Sequence, residues 1–420
     1  MIKKLSVFRP PSFYLLCLIL IFSPLFRGSV HMWAKTLIQM LTILAVMGLV
    51  LKSKGCQCRK RLPFEMKDIY FSFWGPVFCL IFLSSFFTQQ AGLTFEAAGM
   101  LITYVSIFFV VGQVAQDFKT QKTLFYVVIG IGLFMSVFGM LKRFDMNFLG
   151  LWEYPDIHWP GYTSLTGPYV NRNHMAGFLD MAIPLVVSLF WVRERSPEEK
   201  FGLWWVLVLF MTTLAMTLSR GGWIATGAGL LFFFGVLGII QKRKMGGYLL
   251  GITAAVFIAV ILLMNTPVVQ RITTLTQGEM ADSLTERMRT WRGTIDIIKD
   301  YPAFGTGPGT FALVYPKYQV PGKPVLELYA HNDYLQFISE TGVGFVAVLI
   351  WMIFMFYRAG FRKMKKRCRQ TRAVTLGAMA GVTAMLVHSF FDFNLHIPAN
   401  AVLFTVLGAL VLCPEKLRKV

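Results

Sequence analysis

Apolar residues run through this chain in long blocks, broken by short polar segments. A helix needs about 20 mostly apolar residues to cross a bilayer. Twelve blocks read as such spans, at roughly 12–28, 33–51, 70–87, 94–115, 123–141, 174–192, 201–218, 221–241, 247–264, 336–357, 373–391 and 400–413. The predicted class is therefore all-α, a polytopic membrane protein of about 12 transmembrane helices. It divides into an N-terminal bundle of about nine helices over 1–264, a long loop over 265–335, and about three helices over 336–420. The first block follows Lys3, Lys4 and Arg9 as a signal peptide would, but no A-x-A site follows it, so it reads as a retained span.

Within the long loop the pattern changes to helical period. Leu284, Met288, Trp291, Ile295 and Ile298 recur at spacings of 4, 3, 4 and 3, and Pro302 ends the run. Ser283 and Glu286 make a capping box. The spacing predicts an amphipathic helix over 283–300 lying on the membrane surface or on the bundle. At about 100° per residue, Arg287 sits at the edge of the apolar stripe, Arg292 lies further round, and Arg289 faces water.

Composition agrees with the spans. Of 420 residues, 55% are apolar and 15% charged, against roughly 25% charged in ordinary soluble domains. The net charge of +20 looks like a nucleic-acid binder's until it is placed. With the N-terminus inside, the inner loops hold 28 of the 41 basic residues and 7 of the 21 acidic ones. The positive excess is thus topological. Clusters such as Arg59-Lys60-Arg61 and Arg362-Lys363 are inner-face anchors. None of the six cysteines falls in an outer loop, so no disulfide framework is expected. No inner loop could hold a nucleotide-binding domain, and the G-x-x-x-x-G-K-[ST] motif is absent.

The chemistry concentrates on the outer side. Arg220, in Ser219-Arg220-Gly221-Gly222, is pinned in a short turn at the boundary of the apolar slab. An unpaired charge in the slab costs at least about 2.5 kcal/mol, which makes Arg220 a functional candidate. Asn171, Arg172 and Asn173 precede the sixth span and offer hydrogen-bond donors. His331 ends the long loop, next to Asn332 and Tyr334, and His is the usual general base near neutral pH. His388, Asp392 and His396 lie in or beside the last outer loop. The segment Phe304–Phe311 is glycine-rich, but its spacing is not that of a phosphate loop. Close carboxylate pairs, D-x-D and H-E-x-x-H are missing from the outer segments, so no metal site is expected. The guanidinium groups match phosphate oxygens instead. Asp180, inside the sixth span, could be a relay or a packing partner for an arginine.

These pieces resemble the O-antigen ligase and polymerase superfamily of Wzy_C type. The matching motifs are N-R-N-H at 171–174, S-R-G-G at 219–222, R-x-x-x-W-R at 287–292 and Y-P-x-F-G-x-G-P-G-x-F at 301–311. H-N-D-Y-L-Q…E-x-G at 331–342 and H-x-x-x-D-x-N-L-H-I-P-A-N at 388–400 complete the order. One departure is Gly344, which falls two residues after the E-x-G glycine where three is common. The resemblance implies a GT-C-type fold and a glycosyltransferase working without metal, nucleotide or other cofactor, at the periplasmic face of the bacterial inner membrane. Both termini would be cytoplasmic. The donor would be a glycan on undecaprenyl pyrophosphate, and the acceptor lipid A-core or a growing glycan. Arg220 and Arg287 would bind the pyrophosphate, and His331 would activate the acceptor. Asn171, Arg172, Asn173 and Arg292 would bind substrate, as would Asn332, Tyr334, His388, Asp392 and His396. Ligase activity is the expectation, with polymerase as its alternative. An anion transporter and a non-catalytic export scaffold are the readings from other classes.

Overall fold

The computed structural model describes residues 9–55, 64–146, 150, 152, 164–192, 196–241, 280–319 and 327–412. All regular structure there is helical. The helices are α1 (Pro11–Leu25), α2 (Met32–Gly55), α3 (Phe64–Ser85), α4 (Ala91–Val114), α5 (Phe118–Arg143), α6 (Arg172–Phe190), α7 (Pro197–Met216) and α8 (Arg220–Gln241). Then come α9 (Met280–Asp300), the short α10 (Phe311–Val314), α11 (Asp333–Thr341), α12 (Gly344–Lys366), α13 (Arg369–His388) and α14 (Pro398–Leu412). The expected span at 247–264 lies outside the described residues.

Seven of these helices are long and apolar enough to cross a membrane, and three more apolar helices are shorter. A multi-pass membrane protein is supported. The expected count of twelve is not reached on length and composition among the described residues. The block at 336–357 is not one helix. It breaks at Gly342, whose φ of +83° ends α11, and α12 starts at Gly344. A left-handed turn of this kind is open to glycine at no steric penalty.

The core is built around α6, α8, α13 and α14, with α1, α2 and α4 packed on the α14 side and α5 and α7 against α6. Small residues bring these helices together, as is usual where lipid tails supply no driving force for association. A Cβ on Gly381 would lie 2.9 Å from the Met181 carbonyl oxygen, and one on Gly229 would lie 2.8 Å from that of Ala380. The α6, α8 and α13 backbones therefore touch almost directly.

Helix α9 corrects two expectations. It starts at Met280, so Ser283 lies inside it rather than capping it. Its packed face is Thr290, Gly293, Thr294 and Ile297, while Met288 and Ile295 of the predicted stripe are exposed. The cause is Gly293: a Cβ there would lie 2.6 Å from the Tyr318 carbonyl oxygen and 2.9 Å from the Tyr315 ring. The small-residue face admits the 315–318 turn closely, and the larger apolar side chains are left at the rim.

Candidate active site

The loops at one end of the bundle are laced together by buried carboxylates. Asp392 lies just beyond the end of α13 and is fully buried. Its Oδ2 accepts from the side-chain amide of Asn173 on α6 and from Arg287 Nη2 on α9 at 3.3 Å. Its Oδ1 lies 3.4 Å from His331 Nδ1, at ion-pair range but off the line of a hydrogen bond, and 4.0 Å from His174 Nε2. One carboxylate thus joins the loop before α11 to α6 and α9. Burial alone would raise the Asp392 carboxyl, but His331, Arg287 and His174 around it outweigh that and hold it far below the carboxylate range.

Arg287 reaches this point because it sits at the edge of the α9 face that packs on the bundle. Its Nη1 also donates to the Phe391 carbonyl at 2.8 Å. The same Phe391 and the His388 ring press on Gly221, where a Cβ would lie 3.0 Å from Phe391 Cβ and 3.3 Å from His388 Nε2. Arg220, the first residue of α8 and partly buried, is therefore brought to the segment that holds Arg287.

His331 has φ +51°, a left-handed conformation uncommon outside glycine and frequent at functional sites. Its ring edge meets Phe393, with centroids 4.9 Å apart. Nδ1 faces Asp392, and Nε2 lies 3.6 Å from Glu327 Oε2. Burial pushes the imidazole down, but the two carboxylates more than offset it and raise it to about 9.

A second carboxylate fixes the frame. Asp333, also fully buried, binds His396 Nδ1 at 2.6 Å, the Ser389 hydroxyl at 2.8 Å and the Leu395 amide at 3.0 Å. It holds the imidazole of His396 above its ordinary value against the opposing effect of burial. Asn332 caps α11 through the amides of Tyr334 and Leu335 and donates to the Phe390 carbonyl. The Tyr334 hydroxyl donates to the Leu386 carbonyl at 2.5 Å. Asn171 caps α6 through the Asn173 amide.

The expected site residues therefore separate. Arg287, His331, Asp392 and Asn173 come together directly, and the start of α8 at Arg220 packs on the neighbouring 388–391 segment through Gly221. Asn171, Asn332, Tyr334 and His396 spend the polar atoms just named on holding the loops. His388 is turned inward and fully buried, with Nδ1 2.6 Å from Asp180 Oδ2; the other Asp180 oxygen accepts from Thr226 at 2.6 Å. The packing partner of Asp180 is thus a histidine and not an arginine. Arg292 is exposed on α9, and Arg172 is half-buried at the start of α6. The glycine-rich turn is not a ligand cradle. Its Thr306 and Gly307 amides donate to the Ser339 and Glu340 carbonyls, and the Glu340 carboxylate accepts from the Gly309 amide at 2.9 Å.

Sequence reasoning missed Asp333 and His174 as site-building groups, although both stand inside the quoted motifs. It also missed Glu327, which no motif marks. Among the described residues no group of three His, Cys, Asp or Glu side chains is placed to hold a metal ion.

Residues 205–352 match the family model described as O-antigen ligase, Wzy_C. The match spans Arg220, Arg287 and His331 and stops before Asp392. The chain matches no curated protein.

Proposed function

On the premise, supported by that match, that the chain is of the O-antigen ligase/polymerase superfamily, we propose a glycan transfer from a polyprenyl pyrophosphate to an acceptor hydroxyl. The donor is a glycan on undecaprenyl pyrophosphate. The acceptor is lipid A-core for a ligase, or the end of a growing glycan for a polymerase, and ligation is the preferred reading. The site faces the periplasm from the inner membrane, with both termini in the cytoplasm.

The observation that carries this reading is the convergence of Arg287, His331 and Asp392, from three separated segments, next to the start of α8 that carries Arg220. The acceptor oxygen attacks the anomeric carbon and the bond from that carbon to the pyrophosphate breaks. The bonding pair leaves on the pyrophosphate, and the hydroxyl loses its proton. Arg220 and Arg287 offset the charge gathering on the leaving oxygens. Such preorganised donors act most strongly where water is excluded. Asp392 prearranges Arg287 and His331 before substrate arrives, and His331 engages the acceptor hydroxyl.

The test is transfer by purified protein in vesicles carrying a polyprenyl-pyrophosphate glycan and candidate acceptors. Released carrier lipid and product mass are followed for wild type and Arg287→Ala. The variant should lose about 10²–10³ in rate. Product mass separates ligation from polymerisation. A folded wild type that transfers to no acceptor sinks the proposal.

A further inference from the structure

His331 lies between two carboxylates of opposite character. Asp392, on its Nδ1 side, is fully buried and also faces Arg287, Asn173 and His174. Glu327, on its Nε2 side, keeps 18% of its side chain open, next to an imidazole that is itself 23% open. The Nε2–Oε2 separation of 3.6 Å stops short of a hydrogen bond. The Glu327 oxygen thus keeps room for a hydroxyl proton on the Nε2 side of the imidazole, away from Asp392.

This arrangement sits badly with His331 as the final proton acceptor. A base must have a free lone pair, and an imidazole facing a carboxylate at each nitrogen is stabilised in its protonated form. The assignment that resolves this rests on the transferase reading above. We propose that Glu327 is the catalytic residue that takes the proton of the acceptor hydroxyl, with the His331 imidazole beside it as the group that positions that hydroxyl. The acceptor oxygen then bonds to the anomeric carbon, its proton moves to Glu327 Oε2, and the electron pair of the broken bond leaves with the pyrophosphate. Water takes the proton from Glu327 after product leaves, which restores the carboxylate. A carboxylate is a competent general base where the substrate bond is breaking heavily in the transition state, as in other glycosyl transfers.

Among the described residues, the groups that face Glu327 are His331 from its own loop and Tyr315 from the turn after α10. In the vesicle assay, Glu327→Gln should lower kcat by about 10²–10⁴-fold and leave binding of the polyprenyl-pyrophosphate donor unchanged. Glu327→Asp should recover part of the rate. The opposite assignment predicts the opposite sign: without Glu327, His331 holds its proton less tightly and would become a better base near neutrality. A Glu327→Gln protein at or above wild-type kcat therefore overturns the proposal. So does one that no longer binds donor. Absence of transfer by wild type overturns the transferase reading itself, whereas wild-type transfer with an active Glu327→Gln overturns only this assignment.

Discussion

Helices α6 and α12 are both long and apolar enough to cross a membrane, and their surroundings are opposite. Of the apolar window of Arg172–Phe190, 89% is buried inside the protein, against 11% for Gly344–Lys365. Helix α12 turns Val346, Ile350, Trp351 and Phe354 outward. In a bilayer that exposure carries little penalty, because lipid tails are as apolar as leucine. Apolarity therefore marks a span without saying whether it is central. What sets α6 apart is polar: Asn173, His174, Asp180 and Ser188 are all buried in it. Such groups are tolerated only where protein surrounds and pairs them. The site is attached to α6 and its neighbours for that reason, and α12 supplies none of it.

The hardest test of this contrast is Asp392→Ala, at the loop that caps α6. It leaves Arg287, Asn173 and His331 around an empty buried position. Breaking a buried ion pair costs about 3–5 kcal/mol, here toward the lower value because Arg287 keeps a face toward solvent. Transfer activity should be lost and thermal unfolding in detergent should move down. A variant as stable and as active as wild type would show that Asp392 does not organise the site.

Within the centre, Asp180→Asn should be milder. The amide can still accept from Thr226 and face His388, so the loss is that of a weakened buried hydrogen-bond network, about 1–3 kcal/mol. Transfer should persist at reduced stability, while His331→Ala should abolish it. The reverse pattern, with Asp180→Asn dead and His331→Ala active, would favour transport over catalysis.

Much of this division between centre and rim was beyond sequence reading. Eleven of the twelve apolar blocks fall on described helices, because length and apolarity are what a bilayer demands of a span. The break at Gly342 was missed because apolar residues continue across it on both sides. The packed face of α9 was misread because hydrophobic period finds the largest side chains, whereas Gly293 selected the closest approach. Arg287, His331 and Asp392 were legible as charged or titratable residues pinned beside spans. The Asp180–His388 and Asp333–His396 pairs were not, since their members lie 208 and 63 residues apart. Glu327 had no signal at all: a lone acid in a long loop is ordinary until a histidine is found against it.

The pH response is a smaller effect and its sign is fixed by His331. Its folded-state value of about 9 lies above the ordinary 6.5, so the proton is held more tightly in the folded protein. The stability this contributes is complete below about 6.5 and is lost as pH rises through about 9. The unfolding temperature of wild type minus that of His331→Gln should be largest at pH 6 and should fade by pH 10. A difference that grows with pH would mean that His331 is neutral in the folded state.

The smallest expected effect lies on α12 and is the sharpest statement of the contrast. Ile350 is 62% exposed on the outer face of α12, whose inner side sets Phe356 and Met364 into the core. In water, trimming such a residue removes unfavourable exposed apolar area, and in lipid it exchanges one apolar surface for another. Ile350→Ala should therefore leave unfolding within about 0.5 kcal/mol of wild type and leave transfer unchanged. Gly381→Leu on α13 adds apolar bulk where a bare Cβ would already lie 2.9 Å from the Met181 carbonyl, and should cost about 1–3 kcal/mol. Hydropathy alone would rate Gly381→Leu as the favourable change in a span and Ile350→Ala as the unfavourable one, the reverse of the order expected here. If Ile350→Ala were as damaging as Gly381→Leu, α12 would have a protein partner along its outer face, and its exposure would belong to an interface instead of the bilayer.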